Sequence, residues 1–289
     1  MNRKNFLSRL TKGSLLTILG ASGIKASARS GEDESELIEQ VGFNHLPNKE
    51  EKTMKTVLHK ADTRGHANHG WLDSYHSFSF ANYYNPERIH FGMLRVLNDD
   101  TVAPGRGFGT HPHDNMEIIS IPLSGDLEHR DSMGTTAVIK EGEIQVMSAG
   151  TGISHSEYNA NKDQDVKFLQ IWIFPREKNV SPRYDQIQIA DIMTPNEFSQ
   201  ILSPTEVDEG VWIHQDAWFH LGEFDAETEV SYDLKKNGNG VYAFVLEGEV
   251  KIGDQKLAKR DGFGIWDTDR VAIKAQSGTK VLLMEVPMN

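Results

Sequence analysis

The chain contains no cysteine. That excludes disulfides, zinc–thiolate sites and cysteine nucleophiles, so any metal ion must be held by histidine and carboxylate. Positive charge is scarce: 30 Lys and Arg stand against 42 Asp and Glu, for a net charge of −12. A surface this acidic repels phosphate backbones and anionic lipids, which argues against nucleic acid and membrane surface as partners. Helical periodicity is nearly missing too, and that directs attention to strands. What is present is a chain of 289 residues with a globular composition, enough for one large domain or two of ordinary size.

The first residues differ from the rest. A basic start (Arg3, Lys4, Arg9, Lys12) leads into the apolar run Leu15 to Ala21 and then the small-residue sequence Ala26-Ser27-Ala28. The apolar run is far shorter than the roughly 20 residues a membrane helix needs. The pattern predicts a cleavable signal peptide over 1–28 and a periplasmic or secreted protein. Arg3-Lys4-Asn5-Phe6-Leu7 resembles the twin-arginine export motif with Lys4 in place of the second arginine, so both twin-arginine and general secretory export are open. Without a cysteine at the cleavage point there is no lipoprotein anchor. Residues 29–53, rich in acid (Glu32, Asp33, Glu34, Glu36, Glu39), are expected to form a linker with at most a short helix near Leu37 and Ile38.

From Met54 onward the sequence is short β-type runs punctuated by Gly, Pro, Asn and Asp. Strands are expected at His90–Val96, Glu117–Ile121, Glu143–Met147, Lys167–Phe174, Val211–His214, Gly240–Ile252, Gly262–Trp266, Val271–Ala275 and Lys280–Val286. Helical turns are expected only at Ala190–Ile192 and Pro195–Gln200. So many short strands predict an all-β sandwich or barrel. Two stretches echo each other: Ser120 to Leu127 and Phe244 to Val250 both read as an apolar strand, a glycine turn and a return strand. The echo predicts tandem β-barrels over 54–180 and 181–289, with a single large β domain as the alternative.

The chemistry concentrates in two glycine-framed segments. In Gly105 to Glu117, His111 and His113 share one face of an extended chain, because alternate side chains do, and Glu117 joins that face if the strand continues. Pro112 cannot donate a ladder hydrogen bond and suits the mouth of a barrel. In Gly150 to Asn159, His155 and Glu157 share a face by the same period. Two antiparallel strands can thus deliver three imidazoles and a carboxylate to one point. Such a donor set leaves coordination positions free, as a catalytic site requires.

The spacing Gly105-(x5)-His111-x-His113-(x3)-Glu117 resembles the first cupin motif, and Gly152-(x2)-His155-(x3)-Asn159 closes the second. The fuller text is similar to the pirin family. The resemblance lies in His69 to Phe80, Val102 to Gly105, Thr110 to His113, Leu127 to Ser132, Met147 to Gly152 and Ile213 to Ala217, within a similarity over most of 54–289. It implies a two-barrel cupin of jelly-roll type with a single metal, in the first barrel. By that resemblance the ligands are His111, His113, His155 and Glu157, with Glu117 in a supporting place beside them. Glu157 is then also the general base, and His214 and His220 in the second barrel are structural. Fe(II) is the first expectation, with Mn, Co, Ni, Cu and Zn also compatible. The implied activity is a quercetin 2,3-dioxygenase-like opening of a flavonol-like ring, with a small aromatic substrate and O2 as partners. The alternatives are a periplasmic metal-binding sensor or partner-binding module without catalysis, or another cupin activity such as an isomerase or hydrolase.

Other residues have plainer expectations. His66, His69 and His76 near the first strands are read as packing and loop hydrogen bonds ahead of a wall of the pocket, and Phe78, Phe80 and Tyr83 as core ahead of the lining of an aromatic substrate cavity. His129-Arg130-Asp131 reads as a charged hairpin closing the barrel. Gly107 and Gly109 are expected to permit backbone turns beside the metal.

Overall fold

The computed structural model describes residues 53–289; the expected signal peptide and all but the last residue of the acidic linker lie outside them. Residues Glu51–Asn289 fall in one compact unit. Four sheets account for the strands.

The first seven-stranded sheet runs in the order β12 (Arg183–Gln188), β9 (Glu143–Ser148), β6 (Glu117–Ser124), β11 (Val166–Ile173), β4 (Leu94–Val102), β3 (Leu72–His76), β2 (Gly65–Asn68). Facing it is a four-stranded sheet, β5 (Gly107–His113), β10 (Ile153–Asn159), β7 (Leu127–Asp131), β8 (Thr136–Ile139). The second half repeats the plan. Its seven-stranded sheet runs β1 (Lys55–His59), β20 (Gly262–Trp266), β17 (Asn239–Glu247), β22 (Thr279–Pro287), β15 (Trp218–Phe224), β13 (Phe198–Ser203), β14 (Val211–Trp212). Its four-stranded sheet is β16 (Thr228–Asp233), β21 (Arg270–Ala275), β18 (Glu249–Ile252), β19 (Gln255–Ala258). The all-β expectation holds. The helical elements among the described residues are single 3-10 turns at Ala61–Thr63 and Ile189–Asp191. The helical turn expected at Pro195–Gln200 is instead a short turn that runs into the first three residues of β13.

The expected boundary at residue 180 does not separate the sheets. β12 lies beyond it yet pairs with β9, and β1 lies before it yet pairs with β20 in the second half. Each half takes one edge strand from across the boundary, which covers an otherwise open sheet edge. The echoing hairpins are the points where the chain leaves a large sheet for a small one. Gly125 (φ 74°) and Gly248 (φ 75°) make that crossing in a left-handed conformation. A Cβ on either would meet Asp165 O at 2.8 Å or Thr279 Oγ1 at 2.6 Å, so only glycine fits.

The two large sheets pack face to face. Ile119, Ile121, Leu169 and Ile171 from the first interdigitate with Phe219, Leu221, Phe244 and Leu282 from the second. Burying each such side chain contributes about 1.5–3 kcal/mol. The alternate residues of the same strands turn the other way, into the barrels. One end of the first barrel is closed by Leu72, Val102, Leu127, Ile139, Val166 and Phe168; above this plug the lining turns polar.

Candidate metal centre

β5 pairs with β10 so that His111 lies across from His155, and His113 across from Ile153. The period of two puts His111 and His113 on one face, and the cross-strand pair adds the third imidazole. Ligand atoms of the three histidines all lie within 4.8 Å of one another. Their ring centroids are separated by 4.8, 4.5 and 5.0 Å.

The hydrogen-bond state of these rings fits a bound cation. His111 Nδ1 donates to the Gly109 carbonyl at 2.7 Å, which leaves the Nε2 lone pair free. His113 Nε2 and both ring nitrogens of His155 are buried without any partner. A buried polar atom left unpaired costs about 1–3 kcal/mol. Unpaired nitrogens on two adjacent imidazoles, one ligand atom from each within reach of the other, therefore call for a ligand. Burial, reinforced by the neighbouring imidazoles, pushes His113 down to about 4 and His155 to about 3. Both are neutral near pH 7, the form that coordinates a metal.

Glu157 follows His155 on β10 opposite a bulge in β5: the register jumps from His155–His111 to Glu157–Phe108. It lines the same cavity and is buried, but stands outside the tight histidine cluster. Its Oε2 accepts a hydrogen bond from Gln170 Nε2 at 2.7 Å, and its Oε1 accepts one from the Ser120 hydroxyl at 3.0 Å. Both partners project from the large sheet, so the carboxylate bridges the two walls of the barrel.

Glu117 does not sit where it was expected. Asn115, at φ 46°, interrupts the extended chain between His113 and Glu117, so the alternation of faces does not carry through. Glu117 shares its face with Ile119 and Ile121, toward the core between the large sheets, and is not among the residues lining the cavity. Its Oε2 accepts from the Ser148 hydroxyl at 2.6 Å, and burial lifts its carboxyl to about 7.

His129 and Asp131 also correct the sequence reading. Arg130 is exposed and pairs with Glu128, as a charged hairpin should. Its neighbours point inward. The side chains of His129 and Asp131 are 1% and 0% exposed, with His129 Nε2 3.1 Å from Asp131 Oδ2. Backbone N–H groups of Met133 and Thr135 donate to Asp131 Oδ1 and fix it. The His129 ring lies tilted at 5.3 Å from His155 and 4.8 Å from Tyr184, behind the cluster. Strict alternation in Leu127-Glu128-His129-Arg130-Asp131 is the sequence signal that pointed there.

The cavity in front of the histidines has a volume of about 210 Å³. Phe80, Phe108 and Trp172 line it, and Trp172 stands edge-on to His113 at 4.9 Å. His69 and His76 also reach it, whereas Phe78 belongs to the core between the sheets. Gly107 serves close approach and no turn, since a Cβ there would lie 2.2 Å from Glu157 O. In the second barrel His220 is buried beside Tyr232, with rings 4.8 Å apart, and His214 stands against Trp212; no histidine cluster forms there among the described residues.

The sequence pattern of the Pirin family matches residues 57–173, and that of the quercetinase C-terminal cupin domain matches 200–286. Quercetin 2,3-dioxygenase of Escherichia coli (strain K12) is 44% identical over 234 residues, which are 80% of this chain and 98% of that protein. The chain belongs to the pirin family. A pirin-like protein of Caulobacter vibrioides is 36% identical over 225 residues, 78% of this chain and 96% of its own. Among solved structures, the bacterial pirin YhhW of Escherichia coli in complex with nickel(II) superposes with a TM-score of 0.77 at 42% identity, covering 81% of this pirin and all of that chain.

Proposed function

We propose that this pirin is an exported, metal-dependent dioxygenase that opens a flavonol-like ring of the quercetin type with O2. The observation that carries it is the cluster of three imidazoles, with bare, buried nitrogens on His113 and His155, in a cavity that Phe80, Phe108 and Trp172 also line. Its 44% identity to a quercetin 2,3-dioxygenase supports the choice of reaction. His111, His113 and His155 would hold one divalent ion, with Glu157 as the carboxylate ligand beside them. Nitrogen and oxygen donors suit Fe(II) first, and Mn, Co, Ni, Cu or Zn as well.

A bound ion supplies Lewis acidity, which lowers the pKa of a phenolic hydroxyl placed against it. The remaining steps belong to the protein. Glu157, held by Gln170 and Ser120, takes the proton of the substrate's acidic hydroxyl. Phe80, Phe108 and Trp172 enclose the flat ring and keep water from the electron-rich carbon that O2 attacks. Ring opening consumes one O2, both atoms of which enter the product, and releases one ring carbon with its own oxygen as carbon monoxide.

The test is metal loading under anaerobic conditions, followed by quercetin and then O2. Oxygen uptake matched by carbon monoxide release is expected. No turnover with any of the six metals would sink the substrate assignment. Export rests on the basic, apolar and small-residue order of residues 1–28. Protein taken from the periplasm should begin at Arg29, and a chain still beginning at Met1 would refute cleavage.

A further inference from the structure

The cavity has a polar wall that neither the metal ligands nor Glu157 use. It is formed by Ser74 and His76 on β3 and Asn98 and Asp100 on β4, all four buried and all lining the cavity. These strands belong to the large sheet, so the wall faces the strands that carry the histidines. The Ser74 hydroxyl donates to Asp100 Oδ1, and His76 Nε2 lies 2.8 Å from the same oxygen of Ser74. The three side chains therefore form one continuous row.

The row is incomplete at its ends. His76 Nδ1 and Asn98 Oδ1 are buried with no hydrogen-bond partner, and no cation pairs with Asp100 among the described residues. Burial lifts the Asp100 carboxyl to about 7, with the Ser74 hydroxyl acting the other way. The second barrel lacks the carboxylate and its serine: Gly222 stands at the place of Asp100 and Phe198 at that of Ser74, with His220 at that of Asn98, by the matching ladders. Buried polar atoms without partners are costly, and two of them on one wall of a cavity mark a place where a polar group can bind. Beside the row, Phe80 and Trp172 meet edge-on with ring centroids 5.4 Å apart and give a flat ring an apolar border.

We infer that the Asp100–Ser74–His76 row, with Asn98, binds a second phenolic hydroxyl of the ligand, at the wall away from the histidines. A phenolic hydroxyl both donates and accepts, which matches a wall offering the Asn98 carbonyl and Asp100 carboxyl oxygens together with imidazole and serine. The inference rests on the flavonol-type ligand proposed above and narrows it. The preferred ligand has one hydroxyl at the histidines and another on its pendant ring.

The experiment is anaerobic titration of nickel(II)-treated protein, followed by the flavonol absorption band. It compares quercetin with the otherwise identical flavonol that lacks both pendant-ring hydroxyls. Wild type should prefer quercetin by about tenfold, the size of one or two net hydrogen bonds. Ser74→Ala and Asp100→Asn should each bring that preference to within about twofold, while affinity for the hydroxyl-free flavonol stays unchanged, which also shows that the cavity is intact. Equal weakening of both flavonols in the variants, or no preference in wild type, would overturn the assignment. If wild type binds neither flavonol, the ligand class proposed above is wrong. Phenol against toluene then reads the row alone: a Ser74-dependent preference for phenol sustains it, and equal binding overturns it.

Discussion

In the first barrel the small sheet presents His111, His155 and Glu157 to the interior; at the same places in the second barrel stand Tyr232, Val271 and Ile273. The equivalence follows from the ladders, since His155 pairs with His111 and Asp131 as Val271 pairs with Tyr232, each counted from the matching glycines Gly125 and Gly248. On the large sheets Ser120 and Gln170 in the first barrel correspond to Ala243 and Leu283 in the second. His155, Glu157, Ser120 and Gln170 have apolar counterparts, while Tyr232 keeps a hydroxyl that donates to the buried Glu285 at 2.7 Å, and the second interior closes as a core through Val241, Ala243, Val245, Ile265, Ile273 and Leu283. One frame thus serves two ends. The second barrel gains about 1.5–3 kcal/mol per buried side chain and leaves one imidazole nitrogen, His220 Nδ1, unpaired, whereas the first leaves several unpaired at about 1–3 kcal/mol each until something occupies the site.

The difference can be erased by giving the first barrel the second's filling. The triple variant Ser120→Ala, Glu157→Ile, Gln170→Leu should stabilise the metal-free protein by about 1–4 kcal/mol, raising Tm by roughly 2–4 °C per kcal/mol. A lower Tm in calorimetry would show that the polar network supports the barrel.

A smaller effect is expected from the pair behind the cluster. Asp131→Asn should weaken nickel(II) binding by about 10–100-fold, because His129 no longer holds its position against His155. Unchanged affinity by competition titration would make the pair a structural hairpin alone.

In the second barrel, burial pushes His220 down to about 3. The unfolded chain takes up a proton at this residue below about pH 6.5, and the folded chain does not until about pH 3, so this histidine removes stability as pH falls across that window. His220→Leu should flatten the fall in urea midpoint between pH 6 and 4, by at most about 1.4 kcal/mol per pH unit. An equal slope in both proteins would contradict the burial cause. The least effect is expected from Glu117→Gln: nickel(II) affinity within about twofold of wild type, since that side chain faces the other core. A tenfold loss would return Glu117 to the site.

The histidine cluster was legible because it depends on the period of two within short, unbroken strands, and His111-Pro112-His113 and His155-Ser156-Glu157 both lie inside one strand. Glu117 was misplaced where that period fails, across the left-handed Asn115 between two sheets. The tandem plan showed in the Gly125 and Gly248 hairpins, which are local. The exchange of β1 and β12 did not show, because an edge strand's choice of partner is a long-range matter of which sheet edge lies open. His129 and Asp131 were hidden by Arg130 and Glu128, whose charges dominate a segment that alternates between surface and interior.

The geometry of the two barrels leads to one expectation above the others: one metal ion at the three histidines of the first barrel and none in the second. Nickel(II) titration by calorimetry, with elemental analysis after dialysis, tests it on wild type and His155→Ala. One equivalent per chain is expected for wild type and at least about a hundredfold weaker binding for the variant. Retention of a full equivalent by His155→Ala, or a second equivalent on wild type, would contradict it.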